Sequence, residues 1–409
     1  MSAVLTQCGS CDALWDGERR TAGWAPQPGP GVSLLHPLCP KDHRARGTDA
    51  RSPGDFLPPG MGPVLATALT HDPGLGLWMS DVAVTPPTGA DLQQRAIVAG
   101  AVAEDPQRAL LLGWTEALER RCTLARPRGP VRLAAYPKTG AGHTSVGDTP
   151  QWQLEGRRSA SAEPVWLPYE QVVHHSVLQG QGRQTGTDST GVAAYPDPIG
   201  ARVRAVRECI ERAGLALWWS EAGSVRCALH TEEANSLLRQ SSLVPRAATA
   251  DVWHTYRAGH HVAGCLITTA TNLGPYAVFG SGAHRSVDAA IHAAFGEALQ
   301  LHLTRVLVVD EDQRPAYSRR YIGKALPASF AAAFREAFPL QDQCVQTDFG
   351  DEMTAEDPAG TTEAVEVDCG DALTDGLGLS VIRVVLPSLP RFSARTTAPG
   401  GLNPDFLGV

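Results

Sequence analysis

The chain has 409 residues, 43% hydrophobic and 19% charged, with Gly 41 and Pro 31. That is enough chain to bury a sizeable core, which excludes disorder throughout, and the aperiodic glycine and proline mean many turns rather than a fibrous repeat. A formal net charge of −8 argues against a nucleic-acid binder, and no apolar run is long enough for a membrane span.

In chain order, residues 1–62 are rich in Pro and Gly and show no sustained period, so they read as an extension and linker preceding one domain over 63–409. Met1 to Leu14 has neither a basic nor an apolar signal region, which makes cytoplasm the expected compartment. Cys8-x-x-Cys11 supplies two thiolates to one tetrahedral metal, and Cys39 with His36 or His43 would complete a zinc knuckle. Free thiols are the competing reading. Six further cysteines (Cys122, Cys209, Cys227, Cys265, Cys344, Cys369) stand singly and read as small buried apolar side chains.

From Pro63 onward strand-type and helix-type segments alternate, giving an expected α/β (α+β) class. Strands are predicted at Val131–Tyr136, Val252–Tyr256, Val262–Thr269, Tyr276–Gly280 and Val381–Leu386. Lys138 to Ala162 reads as a long loop or crossover. Asp342 to Asp375 holds 11 Asp and Glu and no Lys or Arg, and reads as a solvated loop or insertion.

Three segments share one spacing. Pro106-x-x-Ala109 leads after six residues to Glu116-x-x-Glu119-Arg120. Pro198-x-x-Ala201 leads likewise to Glu208-x-x-Glu211-Arg212, and Val287-x-x-Ala290 to Glu297-x-x-Gln300. Asp105, Asp197 and Ser286 precede them as helix-start signals, so three helices are predicted. Positions i and i+3 share one helix face, roughly 5–6 Å apart at Cβ. Like charges there are unfavourable unless a cation lies between them. Three such helices converging would make a nest of carboxylates fit for a hard divalent ion such as Mg²⁺. Ordinary surface pairs, with Arg120 bridging Glu116 and Arg212 bridging Glu208, are the alternative. A di-iron bundle is set aside, because no Glu has a His three residues later. The short runs Asp188-Ser189-Thr190-Gly191 and Gly280-Ser281-Gly282 precede two of the helices and read as turns whose amides can approach phosphate. There is no Walker-type phosphate loop, dinucleotide fingerprint or nucleophile elbow.

These segments, with Thr187 to Ala194, Arg204-x3-Glu208 and the ending Gly376 to Pro387, resemble the YcaO family, and within it the SagD-like cyclodehydratases of azol(in)e-containing peptide pathways. The resemblance implies a YcaO-type ATP-binding fold, with three carboxylate-bearing helices packed on β-sheet. It implies an ATP-dependent enzyme whose Glu116, Glu119, Glu208, Glu211 and Glu297 hold Mg²⁺, whose Arg120 and Arg212 brace carboxylates or phosphates, and whose Ser189 and Gln300 touch ATP. The implied substrate is a precursor peptide, as in bacteriocin biosynthesis, whose Cys, Ser or Thr residues become azolines. Implied partners are an E1-like or ThiF-like leader-binding protein and a flavin dehydrogenase, with a homodimer as one assembly. Thioamide or macroamidine formation, and a non-catalytic docking scaffold, are the alternative roles within the same family. Two departures favour those alternatives. Leu112 stands where the family's first motif has Ser, and the ending Pro404 to Val409 lacks a Pro-x-Pro-x-Pro repeat.

Overall fold

The computed structural model describes residues 5–7, 14–16, 25–26, 34–35, 64–84, 86–87, 97–125, 127–134, 151–173, 189–220, 226–257, 259–271, 274–307, 326–342 and 363–387. Within residues 1–62, Leu5–Gln7 pairs with Leu14–Asp16 and Ala25–Pro26 with Leu34–Leu35. The proposed zinc ligands Cys8, Cys11 and Cys39 lie outside the described residues.

An antiparallel meander opens the main body: β1 (Val64–Asp72), β2 (Leu77–Val84) and β3 (Ile97–Ala103). Helix α1 (Pro106–Thr123) follows, started by Asp105, whose side chain accepts from Arg108 N at 2.8 Å. Next come β4 (Val131–Ala134), β5 (Gln151–Arg158), β6 (Pro164–Pro168) and β7 (Val192–Tyr195). Helix α2 (Pro198–Ser220) is capped by Asp197, which accepts from Gly200 N at 2.8 Å, and α3 (Ala228–Gln240) comes after it. Strands β8 (Thr249–Arg257), β9 (His260–Thr271) and β10 (Gly274–His284) form a second antiparallel meander leading to α4 (Val287–Leu307). Helix α5 (Ala328–Ala337), β11 (Val365–Asp368), the short α6 (Ala372–Gly376) and β12 (Ser380–Val385) complete the order.

The central sheet runs β6-β5-β11-β12-β7, with β4 also on β5, and all its pairs are antiparallel. Of the two expected labels the class is therefore α+β. The three predicted helix starts fall where the capping signals put them. Two regional readings change. Residues 151–158, inside the stretch read as a loop, form β5. The acidic block contains β11, whose Val365 and Val367 are buried, and α6, capped by Asp371. Charge density pointed to solvent there, yet alternating valines put one face of β11 into the core.

Helix α2 lies between two sheets. Its Ala205, Ile210, Leu215 and Trp219 share one core with Val262 and Phe279 of the second meander and with Ile382 and Val384 of the central sheet. Trp218 stacks on Trp253 and Phe338, at 4.3 and 4.1 Å between ring centroids. Cys122, Cys209, Cys265 and Cys369 are buried free thiols, as expected, whereas Cys227 is disulfide-bonded.

Asp72, fully buried at the end of β1, ties this hairpin to the loop after α3. Its carboxylate accepts from Gly74 N and Ser242 N, both at 3.0 Å, from Ser242 Oγ at 2.9 Å, and from Ser241 Oγ. Removing it strands several donors at once. Asp72→Ala should cost about 3 kcal/mol, read as a lower urea midpoint with an unchanged slope. A midpoint equal to wild type would show that solvent replaces the carboxylate.

Candidate active site

Two sheet edges meet three helices. Among the described residues, strand β7 ends the central sheet and β10 is paired beyond β9 only at Tyr276 and Ala277, so N–H groups of both face away from a ladder. Glutamates from the helices meet those groups. Glu119 of α1 accepts from Ala194 N at 2.8 Å, Glu208 of α2 from Gly191 N at 3.1 Å, and Glu297 of α4 from Ser281 N at 2.7 Å. Ser281 Oγ donates to Glu211 of α2 at 2.7 Å, which joins α2 to α4 across the edge of β10. Arg212 lies 3.9 Å from Glu211 and 4.0 Å from Glu208, and Arg120 pairs with Glu116.

Local sequence makes these approaches possible. Gly191 has φ +77°, and a Cβ there would stand 2.5 Å from Val384 O. Only glycine fits at that turn. Gly280 and Gly282 lie within β10 and not in a turn, which corrects the sequence reading. A Cβ on Gly280 would stand 2.3 Å from Ala298 N and 2.4 Å from Ala294 O, so α4 rests directly on the strand backbone. That contact brings Glu297 within reach of Ser281.

Burial pushes the Glu119 carboxyl up to about 7, against the pull of Ala194 N–H and Arg204, and neighbouring Glu116 adds to the rise. Burial, with Glu297 nearby, raises Glu211 as well. Among the described residues, Glu119 Oε2, Glu211 Oε2 and Glu297 Oε1 carry no hydrogen bond. Half-buried carboxylates crowded together with oxygens to spare fit a hard cation held by oxygen ligands. Without a cation, no three His, Cys, Asp or Glu side chains among the described residues stand ready to hold a metal ion. One oxygen of Glu119 and of Glu297 is directed to a backbone N–H and one of Glu211 to Ser281 Oγ.

The repeat thus brings Glu119, Glu208, Glu211 and Glu297 to one seam. Glu116 sits at its margin with Arg120, about a third exposed each. Ser189 opens the turn to β7, where its carbonyl accepts from Val192 N at 3.2 Å. Gln300, one turn past Glu297, is buried with its amide against Gly100 of β3, on the flank of α4 that faces the first meander. Leu112 is half-buried on α1, one turn before Glu116. Sequence reasoning missed Ser281 as the junction of two helices, because its role depends on which strand edge is left open.

Three helices, two with paired glutamates and the third with Glu297 and Gln300, thus meet at the edges of antiparallel sheets. The family model described as "YcaO cyclodehydratase", ATP- and Mg²⁺-binding, matches residues 101–390, and the chain belongs to that family of ATP-dependent enzymes. Among solved structures, a YcaO from Methanopyrus kandleri bound with AMPPCP and Mg²⁺ superposes with a TM-score of 0.55 at 16% identity, over 80% of this chain and 86% of that one. A heterocyclase in complex with substrate and cofactor gives 0.58 at 16% identity, over 92% of this chain and 60% of that one. The E. coli microcin synthetase McbBCD complex with pro-MccB17 bound gives 0.54 at 13%, over 79% and 88%. At these identities the likeness concerns the fold. No match is found among curated proteins. Among the described residues, no helix is long and apolar enough to cross a membrane.

Proposed function

We propose that this enzyme uses ATP to activate backbone amides of a ribosomally made peptide and closes Cys, Ser or Thr side chains into azolines. The observation that carries the reading is the seam of half-buried glutamates with unused oxygens, inside a chain of this family. Glu116, Glu119, Glu208, Glu211 and Glu297 would hold Mg²⁺, which neutralises phosphate charge. Arg120 and Arg212 keep the glutamates oriented, and Ser189 and Gln300 complete the nucleotide contacts.

ATP is a substrate in this scheme. The Cys, Ser or Thr side chain adds to the preceding carbonyl carbon and gives up its proton. The carbonyl oxygen then bonds to the γ-phosphorus while the β–γ bridging bond breaks, its electrons leaving with ADP. Finally the carbon–oxygen bond breaks, its electron pair going to phosphate, and the amide proton leaves as C=N forms. The protein's share is positioning and charge neutralisation rather than covalent catalysis. The heterocyclase neighbour solved with substrate and cofactor, and the microcin synthetase solved as a complex with its pro-peptide, support a peptide substrate and a working assembly. We include in that assembly an E1-like or ThiF-like leader-binding protein and, where azolines are oxidised further, a flavin dehydrogenase.

Purified enzyme with ATP, Mg²⁺, partner and precursor peptide should lower the peptide mass by one water for each azoline and release one phosphate per ring. Replacement of oxygen by sulfur, when a sulfur donor is supplied, would move the assignment to thioamide chemistry. Absence of any peptide-dependent phosphate release by the folded complex would overturn the enzyme assignment.

A further inference from the structure

Among the described residues β8 is an end strand of the second meander, and helix α3 closes its outer edge. Asn235 accepts from Ala250 N at 2.8 Å and donates to Ala250 O at 2.9 Å, and Thr231 Oγ accepts from Val252 N at 2.9 Å. His254 is the next residue in that row of β8, and His230 precedes Thr231 at the start of α3. The two rings meet edge-on, 6.1 Å between centroids. His261 of β9 lies diagonally across the hairpin and stacks on His254 at 5.0 Å. His254 Nε2 is 2.8 Å from His261 Nδ1, and His254 is only 8% exposed. Three imidazoles thus join α3, β8 and β9.

A hydrogen bond between two imidazoles needs one nitrogen with a proton and one without. A second proton on the pair sets N–H against N–H. On His254 it also makes a charged ring whose Nδ1 meets no acceptor, since that atom is buried without a partner among the described residues. The surrounding groups do not offset such a charge. On α3, Glu233 stands 3.6 Å from His230 Nδ1 and is half exposed, and His230 itself lies in the first turn, where the helix dipole opposes a cation. On α4 the exposed Asp288 favours a charge on His261, and on β9 His260 opposes one. On β10 His284 lies across from His261, with its Nδ1 taken by Ser286 N–H. On β8 Tyr256 packs on the His261 ring, and Arg257 lies across from His260. Loss of water, then His261 and His230, hold His254 down at about 4. Loss of water, then His260, lowers His261.

We infer that His230, His254 and His261 form a proton-sensitive latch, which holds the start of α3 on the β8 edge at neutral pH and releases it on mild acidification. His254 and His261 bind protons less tightly in the closed state than at the ordinary 6.5, so opening takes protons up. The latch is at full strength above 6.5 and weakens as pH falls below it. The closed-to-open ratio drops by up to about tenfold per pH unit for each of these two histidines. Opening frees the Ala250 and Val252 N–H groups and bares the edge of a sheet. Nothing in this device depends on ATP.

The test uses the full chain with ring-labelled histidine, followed by NMR from about pH 8 to about pH 4. Amide exchange at Ala250 and Val252, referred to the intrinsic rate at each pH, reads the opening. His254, assigned by its loss in His254→Gln, should stay uncharged well below the pH at which the histidines of a urea-unfolded sample take up protons. In wild type the protection of Ala250 and Val252 should fall by about tenfold or more per pH unit on acidification. It should fall less in His254→Gln and stay level when His254→Gln and His261→Gln are combined. His292→Gln, an exposed change on α4, should behave as wild type. Protection that ignores pH in wild type overturns the latch, and so does an equal fall in the double variant. Uptake of a proton by His254 at the unfolded value overturns it too, and wild type alone decides that point should the double variant fail to fold. If added Zn²⁺ raises the neutral-pH melting temperature and abolishes the pH dependence, the cluster is a metal site and not a latch.

Discussion

Glu211→Gln should abolish Mg²⁺-dependent nucleotide binding and yet leave the ligand-free protein at least as stable as wild type. Glu211 is largely shielded from solvent, and its carboxyl is raised first by that loss of water and further by Glu297. Ionising it in the folded chain is therefore unfavourable until a cation arrives. A neutral glutamine of the same shape keeps a hydrogen bond to Ser281 Oγ and removes the repulsion. It also removes one ligand from the metal. The affinity for an ATP analogue in Mg²⁺ should fall by more than the roughly 10–100-fold that losing a mere supporting partner of a metal ligand costs. The pH dependence has a definite sign. A carboxyl whose folded value lies above its ordinary 4.5 binds its proton more tightly when folded. Raising the pH above 4.5 thus favours unfolding of wild type, and the stability gap in favour of Glu211→Gln should widen as pH rises through that range. Calorimetric titration with and without Mg²⁺, paired with melts at several pH values, reads both effects. A variant that binds the analogue as wild type does would remove Glu211 from the metal site. One that melts well below wild type would show that the carboxylate is structural.

Gly280→Ala should produce the largest loss of the whole fold and of the site together. The added methyl would meet Ala298 N and Ala294 O of α4 at 2.3 and 2.4 Å, atoms of a helix backbone that cannot swing aside as a flexible side chain does. Helix α4 must then lift from β10. Overpacking of this kind costs about 1–3 kcal/mol, and a clash with main chain belongs at the upper end. Lifting α4 also draws Glu297 away from Ser281 N and from the other glutamates. Where the variant still folds, its melting temperature should drop and its phosphate release should fall further than a loss of folded protein explains. Gly376→Ala, at an open position with nothing within 4 Å, is the control and should leave both unchanged. Full activity in Gly280→Ala at normal stability would mean that the helix–strand contact does not set the position of Glu297.

Much of the molecule was legible along the chain because the relevant signals are local. Asp105 and Asp197 before proline fix where α1 and α2 begin, and the recurring pair of polar residues three apart needs only helix geometry to share a face. The apolar runs at Val262 and Val381 gave β9 and β12 for the same reason. Other features depend on contacts between residues far apart in sequence. Residues 151–158 look like loop because their strand character comes from pairing with β4, β6 and β11 rather than from composition. The acidic block hides β11, since solvated charge on one face conceals buried valines on the other. Spacing alone announced a cluster of glutamates. Only the tertiary structure decided that Glu119, Glu208 and Glu297 would meet unpaired strand-edge N–H groups and that Ser281 would join two helices. Capping and periodicity act within a few residues, whereas open sheet edges and unbalanced charge exist only once distant segments have packed.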